Sequence, residues 1–261
     1  MAPFEVLKVQ AWLKEAGHIA LRYYQNQLVR RQKEDDSPVT EADHAVEKFL
    51  IGKVQQTYPT HAIISEESGG TWQNSEFVWA IDPIDGTRIF IDGLPSWCIS
   101  MGLLRHGQPY RGVVYLPIVN EMYYTDDDGV AFWNDRPLKG MLRSDWNRDS
   151  FICVPSEVHN YFSIDFWRLR AFGSAVAHQM YVARGAALAA FQHHLSLWDI
   201  AGANAILKQI KGVAVYLDGA SVSMPEVLAQ GKCRGPVLIG HPTVIEKLLP
   251  KITSKSASNP K

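Results

Sequence analysis

The sequence predicts a mixed α/β fold in two stages: helices packed on a largely antiparallel sheet up to about residue 140, then alternating strands and helices. Three observations carry this. Apolar residues recur at three- and four-residue steps near the N-terminus. Strand-length apolar runs bounded by Gly, Pro and Asp occupy residues 61–133. From residue 151 onward such runs are separated by helical stretches.

In chain order, Val6, Val9, Leu13, Ala16 and Ala20 form one stripe of an amphipathic helix expected to run out near Arg30. The charged run at 30–38, closed by Pro38, reads as a mobile loop. Thr40 is a good N-cap for a second helix, Asp43 three residues on can complete a capping box, and Val46, Phe49, Leu50 and Val54 supply its stripe. Strands are predicted at 61–65 and 77–81, each ending abruptly in acid. Further strands at 98–105 and 111–116 form a hairpin across Gly107-Gln108-Pro109, and 121–125 and 130–133 another across Asp128-Gly129. The second half reads as strands at 151–154 and 169–172, a helix at 175–184, a strand at 188–192, a helix at 200–211, a strand at 236–239 and a helix at 243–249. The polar tail from Thr253 is expected to fray. A soft boundary near residue 145, without a linker, divides residues 1–145 from 146–261, and the two halves are expected to pack closely.

With 46% hydrophobic residues, 20% charged residues and 8 Trp, the chain has ample core material and is not of the disordered class. Its net charge of -1, with no basic stripe, removes the general reason to expect a nucleic-acid partner. No stretch approaches the about 20 apolar residues of a membrane span. The first residues lack the unbroken apolar core of a signal peptide. Cys98, Cys153 and Cys233 are odd in number and far apart, which fits reduced thiols better than a disulfide framework or a zinc site. A cytoplasmic protein without a membrane partner is therefore expected.

The chemistry concentrates where apolar runs stop. In Trp79-Ala-Ile-Asp82-Pro83-Ile84-Asp85-Gly86-Thr87 two carboxylates sit three residues apart across a proline turn that can aim both at one spot. Hard oxygen ligands of this kind suit Mg²⁺ or Mn²⁺. The Gly86-Thr87 amides could form a small anion nest for phosphate. Taken alone, the segment reads equally as an acidic surface turn. Glu66-Glu67 adds acids at the end of the preceding strand, and Asp199 another at a helix start, where an ordinary N-cap is the plain alternative. Three acidic loops together fit the dispersed carboxylates of a two-metal phosphate-hydrolysing site. Other features carry less. Asp126-Asp127-Asp128-Gly129 lacks the ligand alternation of an EF-hand and reads as a turn. His193 and His194 are expected on opposite faces of a strand, which makes joint ligation of a metal improbable. Ser68-Gly69-Gly70 lacks the lysine of a P-loop.

These motifs jointly resemble the inositol monophosphatase family of metal-dependent, lithium-sensitive-type phosphatases. The match runs through Val39-Thr-Glu-Ala-Asp43, Glu66-Glu67-Ser68, Trp79 to Thr87, Gly173-Ser174-Ala175 and Trp198-Asp-Ile-Ala-Gly-Ala203, in the family's order, over about residues 30–220. The resemblance implies a layered αβαβα sandwich and a Mg²⁺-dependent phosphomonoesterase acting on a small phosphorylated metabolite, with homodimers common. It implies that Glu66, Asp82 and the Ile84 carbonyl hold one Mg²⁺, that Asp82, Asp85 and Asp199 hold a second, and that Glu66 serves a weaker third, with Mn²⁺ as a substitute. Thr87 and Glu66 would orient the attacking water, with Asp43 bonded to the Thr87 hydroxyl. Gly86, Thr87, Gly173, Ser174, Ala175, Gln192 and Asp199 would contact substrate.

The chain departs from the inositol-specific pattern at two places. Gln192 stands seven residues before Asp199, where those members carry a Glu that contacts substrate hydroxyls, and Arg88-Ile89-Phe90 replaces the usual Thr-Asn-Phe. Inositol phosphate hydrolysis is the leading expectation. Histidinol-phosphate phosphatase, 3'(2'),5'-bisphosphate nucleotidase, NADP phosphatase and fructose-1,6-bisphosphatase activities of the same superfamily are alternatives. A non-catalytic phosphatase-fold binding protein is a reading of another class. An aspartyl-phosphate mechanism fits poorly, because its two Asp usually lie two residues apart rather than three.

Overall fold

The architecture follows from where the alternating apolar residues can be buried. The computed structural model describes residues 4–24, 31–32, 38–73 and 75–255. Helices Val6–Leu21 and Glu41–Thr57 pack on each other and on one face of a seven-stranded sheet. The sheet order is Ala62–Ser65, Phe77–Asp85, Cys98–Arg105, Gln108–Leu116, Glu121–Thr125, Ala131–Trp133, Arg136–Pro137. Only the first pair is parallel. Because strand side chains alternate, Trp79, Ile81, Ile99 and Met101 join the core under the N-terminal helices, while Val78, Ala80, Cys98 and Leu104 join a second core behind the sheet.

That second core is filled from helices Ala175–Ala183 and Leu197–Gln209 and closed by a five-stranded sheet. Its order is Leu169–Arg170, Ile152–Cys153, Ala189–Gln192, Val237–Gly240, Val213–Tyr216, with the first three parallel and the last two joined antiparallel. Its outer face packs Ile152, Phe191 and Leu238 against Val244 and Leu248 of helix Pro242–Leu248. The layers are thus five, α, β, α, β and α, as the resemblance implies, with the middle core filling both sides of the central helices.

Helix Leu197–Gln209 approaches the first sheet backbone to backbone. A Cβ on Gly112 would lie 2.1 Å from the Gly202 carbonyl oxygen, and one on Gly102 would lie 2.5 Å from the Gly202 nitrogen. This contact, which no side chain could occupy, sets the helix that carries Asp199 against the strands beside Asp82.

Several sequence expectations need correction. The first helix ends at Leu21 and turns through Tyr24; residues 25–30, through which it was expected to continue, lie outside the described residues. So do residues 33–37 of the charged loop, but its flanks Arg31–Gln32 and Pro38–Val39 pair as an antiparallel ribbon. The first of the two expected hairpins turns at His106-Gly107, both at positive φ, rather than at 107–109. Pro109 lies inside the strand, where a register shift opposite Leu103 and Leu104 absorbs it. Helix Leu197–Gln209 starts three residues early, because Ser196 is its N-cap and Asp199 its third residue. Ile252–Ser254 pairs with Phe162–Ile164 instead of fraying, and 256–261 fall outside the described residues. Helices Thr87–Ile91 and Met224–Gln230 and strand Val213–Tyr216 were not anticipated, each being too short to display a period. The three cysteines are buried and free, and no described helix is long and apolar enough to cross a membrane.

Candidate metal centre and substrate cavity

Strand Phe77–Asp85 ends in Asp82 and Asp85, both buried, and Asp199 arrives from the first turn of its helix. Ligand oxygens of these three acids lie within 4.8 Å of one another. Burial, then the charges of Glu66, Asp85 and Asp199, push the Asp82 carboxyl well above the usual carboxylate range. Burial and the Asp85 charge push Asp199 up as well. Asp85 is raised by burial too, with hydrogen bonds from Ser174 and Val176 opposing it.

Asp85 and Asp199 are held from outside the cluster. Asp85 accepts from the Val176 amide at 2.8 Å and the Ala175 amide at 3.3 Å, and from the Ser174 hydroxyl, so the N-terminus of helix Ala175–Ala183 caps it. The Cys98 thiol donates to the same carboxylate. Asp199 accepts from the Ser196 amide at 2.7 Å. Asp82 Oδ1, by contrast, lies buried with no hydrogen-bond partner. A buried orphan acceptor amid like charges is costly unless a cation completes it. The donor set, all hard oxygens, suits a divalent cation of the Mg²⁺ or Mn²⁺ type.

Thr87 opens a short helix after Gly86, whose φ of 92° demands glycine. Its hydroxyl lies 3.1 Å from the Ile84 carbonyl and 3.3 Å from Asp43 Oδ1. The other Asp43 oxygen accepts from the Thr40 amide at 2.8 Å and its hydroxyl at 2.5 Å. One carboxylate therefore completes the capping box and also faces Thr87. Glu66 follows strand Ala62–Ser65 and is partly buried; its charge acts on all three clustered acids, but it lies outside the tight group of three. Gly173, Ser174 and Ala175 face the same region, the Gly173 carbonyl lying 3.1 Å from where a Gly86 Cβ would stand. These residues and Gln192 line a cavity of about 460 Å³ that reaches Asp85.

Sequence reasoning missed three supporting residues. Glu47, buried one helical turn after Asp43, accepts from the Glu67 and Ser68 amides at 3.0 and 3.1 Å and so ties down the Glu66 loop. Its i, i+4 spacing from Asp43 on one helix face was the available signal. Gln179, buried, donates to the Asp199 carbonyl at 2.8 Å. His178, also buried, accepts from the Phe172 amide at 2.9 Å, and burial lowers its pKa to about 4. Neither could be read without the fold. His193 and His194 lie past the strand end with ring centroids 4.5 Å apart, so they are neighbours in a loop and not on opposite strand faces.

Comparison with known proteins bears on the family and the fold. The model of the inositol monophosphatase family matches residues 3–255. "Nus factor SuhB" of Pasteurella multocida is 28% identical over 92% of each chain. "Inositol monophosphatase 3" of Solanum lycopersicum is 32% identical over 81% of this chain and 85% of its own. The crystal structure of extragenic suppressor protein suhB from Bartonella henselae shares the fold with a TM-score of 0.80, at 23% identity over 94% of this chain and 97% of that one. Fold, acidic cluster and near full-length match coincide: the chain belongs to the inositol monophosphatase family, whose members are metal-dependent phosphatases.

Proposed function

We propose that the chain is a Mg²⁺-dependent phosphomonoesterase that hydrolyses a small phosphorylated metabolite by direct attack of water, with an inositol monophosphate-like ester as the leading substrate. The single observation that carries this reading is the buried, unpartnered Asp82 Oδ1 among acids whose oxygens lie within 4.8 Å. Glu66, Asp82 and the Ile84 carbonyl would hold one ion, and Asp82, Asp85 and Asp199 a second, with Glu66 available to a third. Bound cations of this class lower the pKa of water and neutralise phosphoryl oxygens.

The chain's own residues supply orientation. Asp43, fixed by Thr40, holds the Thr87 hydroxyl in place, and Thr87 with Glu66 would direct the attacking water. Gly86, Thr87 and the Gly173-Ser174-Ala175 turn would receive the phosphate, and Gln192 the leaving group. No side-chain nucleophile is needed. We further read the two halves as one closely packed catalytic unit in a cytoplasmic homodimer. Exposed Leu94 and Val119 beside the Phe172 and Tyr181 cavity support the dimer, and the oligomeric mass in solution tests it.

Two relatives named Nus factor favour a second reading, a binding role on the same fold. Phosphate release with Mg²⁺ and with EDTA decides between them. The panel is inositol 1-phosphate, histidinol phosphate, 3'-phosphoadenosine 5'-phosphate, fructose 1,6-bisphosphate and NADP. Mg²⁺-dependent, EDTA-abolished turnover of at least one ester is expected; turnover of none favours the binding role.

A further inference from the structure

Asp82 and Asp85 are three residues apart, and on a regular strand that odd offset would turn them to opposite faces. The register shift between them removes the difficulty. Asp82 pairs with Ser100 and Asp85 with Cys98, two positions that share a face of the neighbouring strand. Strand Cys98–Arg105 thus sets one small side chain with a proton to give against each acid. Their fates differ. The Ser100 hydroxyl and Asp82 Oδ1 are both buried without a hydrogen-bond partner, whereas the Cys98 thiol donates to Asp85 Oδ2 at 3.5 Å.

The two oxygens of Asp85 are used unequally. Oδ2 accepts from the Val176 amide at 2.8 Å, from the Ser174 hydroxyl and from the Cys98 thiol. Ser174 Oγ also lies 3.6 Å from the sulfur, but it already accepts from the Ala177 amide at 3.0 Å, and an anionic oxygen is the better acceptor for the one thiol proton. Oδ1 takes only the Ala175 amide, at 3.3 Å. Three donors exceed the two lone pairs of Oδ2, so Oδ1 is the oxygen left for a cation.

We infer that Cys98 is a positioning residue: its thiol, together with the donors at the start of helix Ala175–Ala183, fixes the rotation of the Asp85 carboxylate so that Oδ1 alone is offered to the cation. The consequence rests on the cation reading of the acidic cluster. Cys98 is fully buried in the core behind the sheet, so it meets neither solvent nor substrate and acts only through Asp85. A thiol suits the place, because one group fills a core position and donates weakly, leaving the carboxylate most of its charge.

The test is Mn²⁺ affinity without substrate, read by electron paramagnetic resonance in the wild type, Cys98→Ala, Cys98→Ser and Cys153→Ala. Cys153 is a buried thiol of the same core, so its truncation reports what a missing sulfur does through packing alone. Cys98→Ala is expected to weaken Mn²⁺ binding about three- to tenfold, the low end for loss of a ligand's outer partner, since a thiol is a weak donor. Cys98→Ser keeps a donor and should recover most of that loss. Cys153→Ala should bind as the wild type does while melting lower, as Cys98→Ala also should. Unchanged affinity in Cys98→Ala, an equal loss in Cys153→Ala, or no recovery in Cys98→Ser overturns the inference. A second measurement needs no folded alanine variant. In the infrared spectrum of the wild type, the Cys98 S–H stretch, assigned by its loss in Cys98→Ser, is expected below that of Cys153; coincident bands overturn the bond. A wild type that binds no Mn²⁺ defeats the cation reading and this inference with it, whereas binding indifferent to Cys98 defeats the inference alone.

Discussion

Replacing Asp82 by Asn should stabilise the metal-free protein and remove most of its stabilisation by Mg²⁺. Asp82 has ligand oxygens within 4.8 Å of both Asp85 and Asp199. At an effective dielectric of about 20, a like-charge pair at that separation costs about 3.5 kcal/mol, so two pairs cost about 7 kcal/mol if every group is ionised. The folded protein escapes part of this because burial and the neighbouring charges make the Asp82 carboxyl take up a proton more readily than an ordinary carboxylate. The net relief in the variant therefore falls to about 1–4 kcal/mol, or a Tm rise of about 3–10 °C in EDTA. In Mg²⁺ the wild type should gain about 2.7 kcal/mol at a hundredfold excess over Kd, and the variant little, so the variant's advantage shrinks by about that amount. Turnover should fall on the order of a thousandfold with secondary structure intact. Differential scanning calorimetry in EDTA and in Mg²⁺ reads both effects. A variant less stable than wild type in EDTA, or equally stabilised by Mg²⁺, refutes the reasoning.

Three further outcomes are expected. Metal-free wild type should lose stability as pH rises: Asp82, Asp85 and Asp199 have folded pKa values above the unfolded ones, so the folded state holds extra protons from about pH 4 upward and gives them up through the raised values. Urea unfolding in EDTA between pH 5 and 8 checks this, and stability that climbs over that range contradicts it. Thr87→Ala should lower kcat by about 100-fold with little change in KM, since the hydroxyl orients water rather than holding substrate; a pure KM effect would make Thr87 a binding residue. Glu47→Ala should weaken Mg²⁺ binding about tenfold by calorimetric titration and expose the Glu67 and Ser68 amides to exchange, while Glu47→Gln, which keeps an acceptor for both, should stay near wild type. Equal losses in the two variants would point to charge rather than tethering.

The fold was legible wherever local pattern decides structure. The stripe from Val6 to Ala20, the capping box of Thr40 and Asp43, and the strand that ends at Arg105 appear where expected, whereas the strand expected to stop before Asp82 continues through Asp85 across a register shift. The three-residue error at Ser196 was avoidable, since Ser196 and Asp199 form the same kind of capping pair as Thr40 and Asp43. The acidic cluster was legible because Asp82, Asp85 and Asp199 each sit at an element's end, where backbone can aim a carboxylate at one point. Glu47, Gln179 and His178 were not. Each acts by a hydrogen bond to a backbone group distant in sequence or hidden in a turn, as Gln179 does to the Asp199 carbonyl. The contact of Gly112 with Gly202 was silent too, because a glycine chosen for close approach looks like any other until the helix is laid upon the strand.

If Asp82, Asp85 and Asp199 form a cation site that runs phosphate hydrolysis, cation binding and turnover must stand or fall together. Mn²⁺ titration followed by electron paramagnetic resonance, with phosphate release measured on the same samples, tests it directly. Binding and turnover should rise together in the wild type, vanish together on chelation, and both be lost in Asp82→Asn and Asp199→Asn. Turnover that persists in the metal-free protein, or full Mn²⁺ occupancy in either variant, would contradict it.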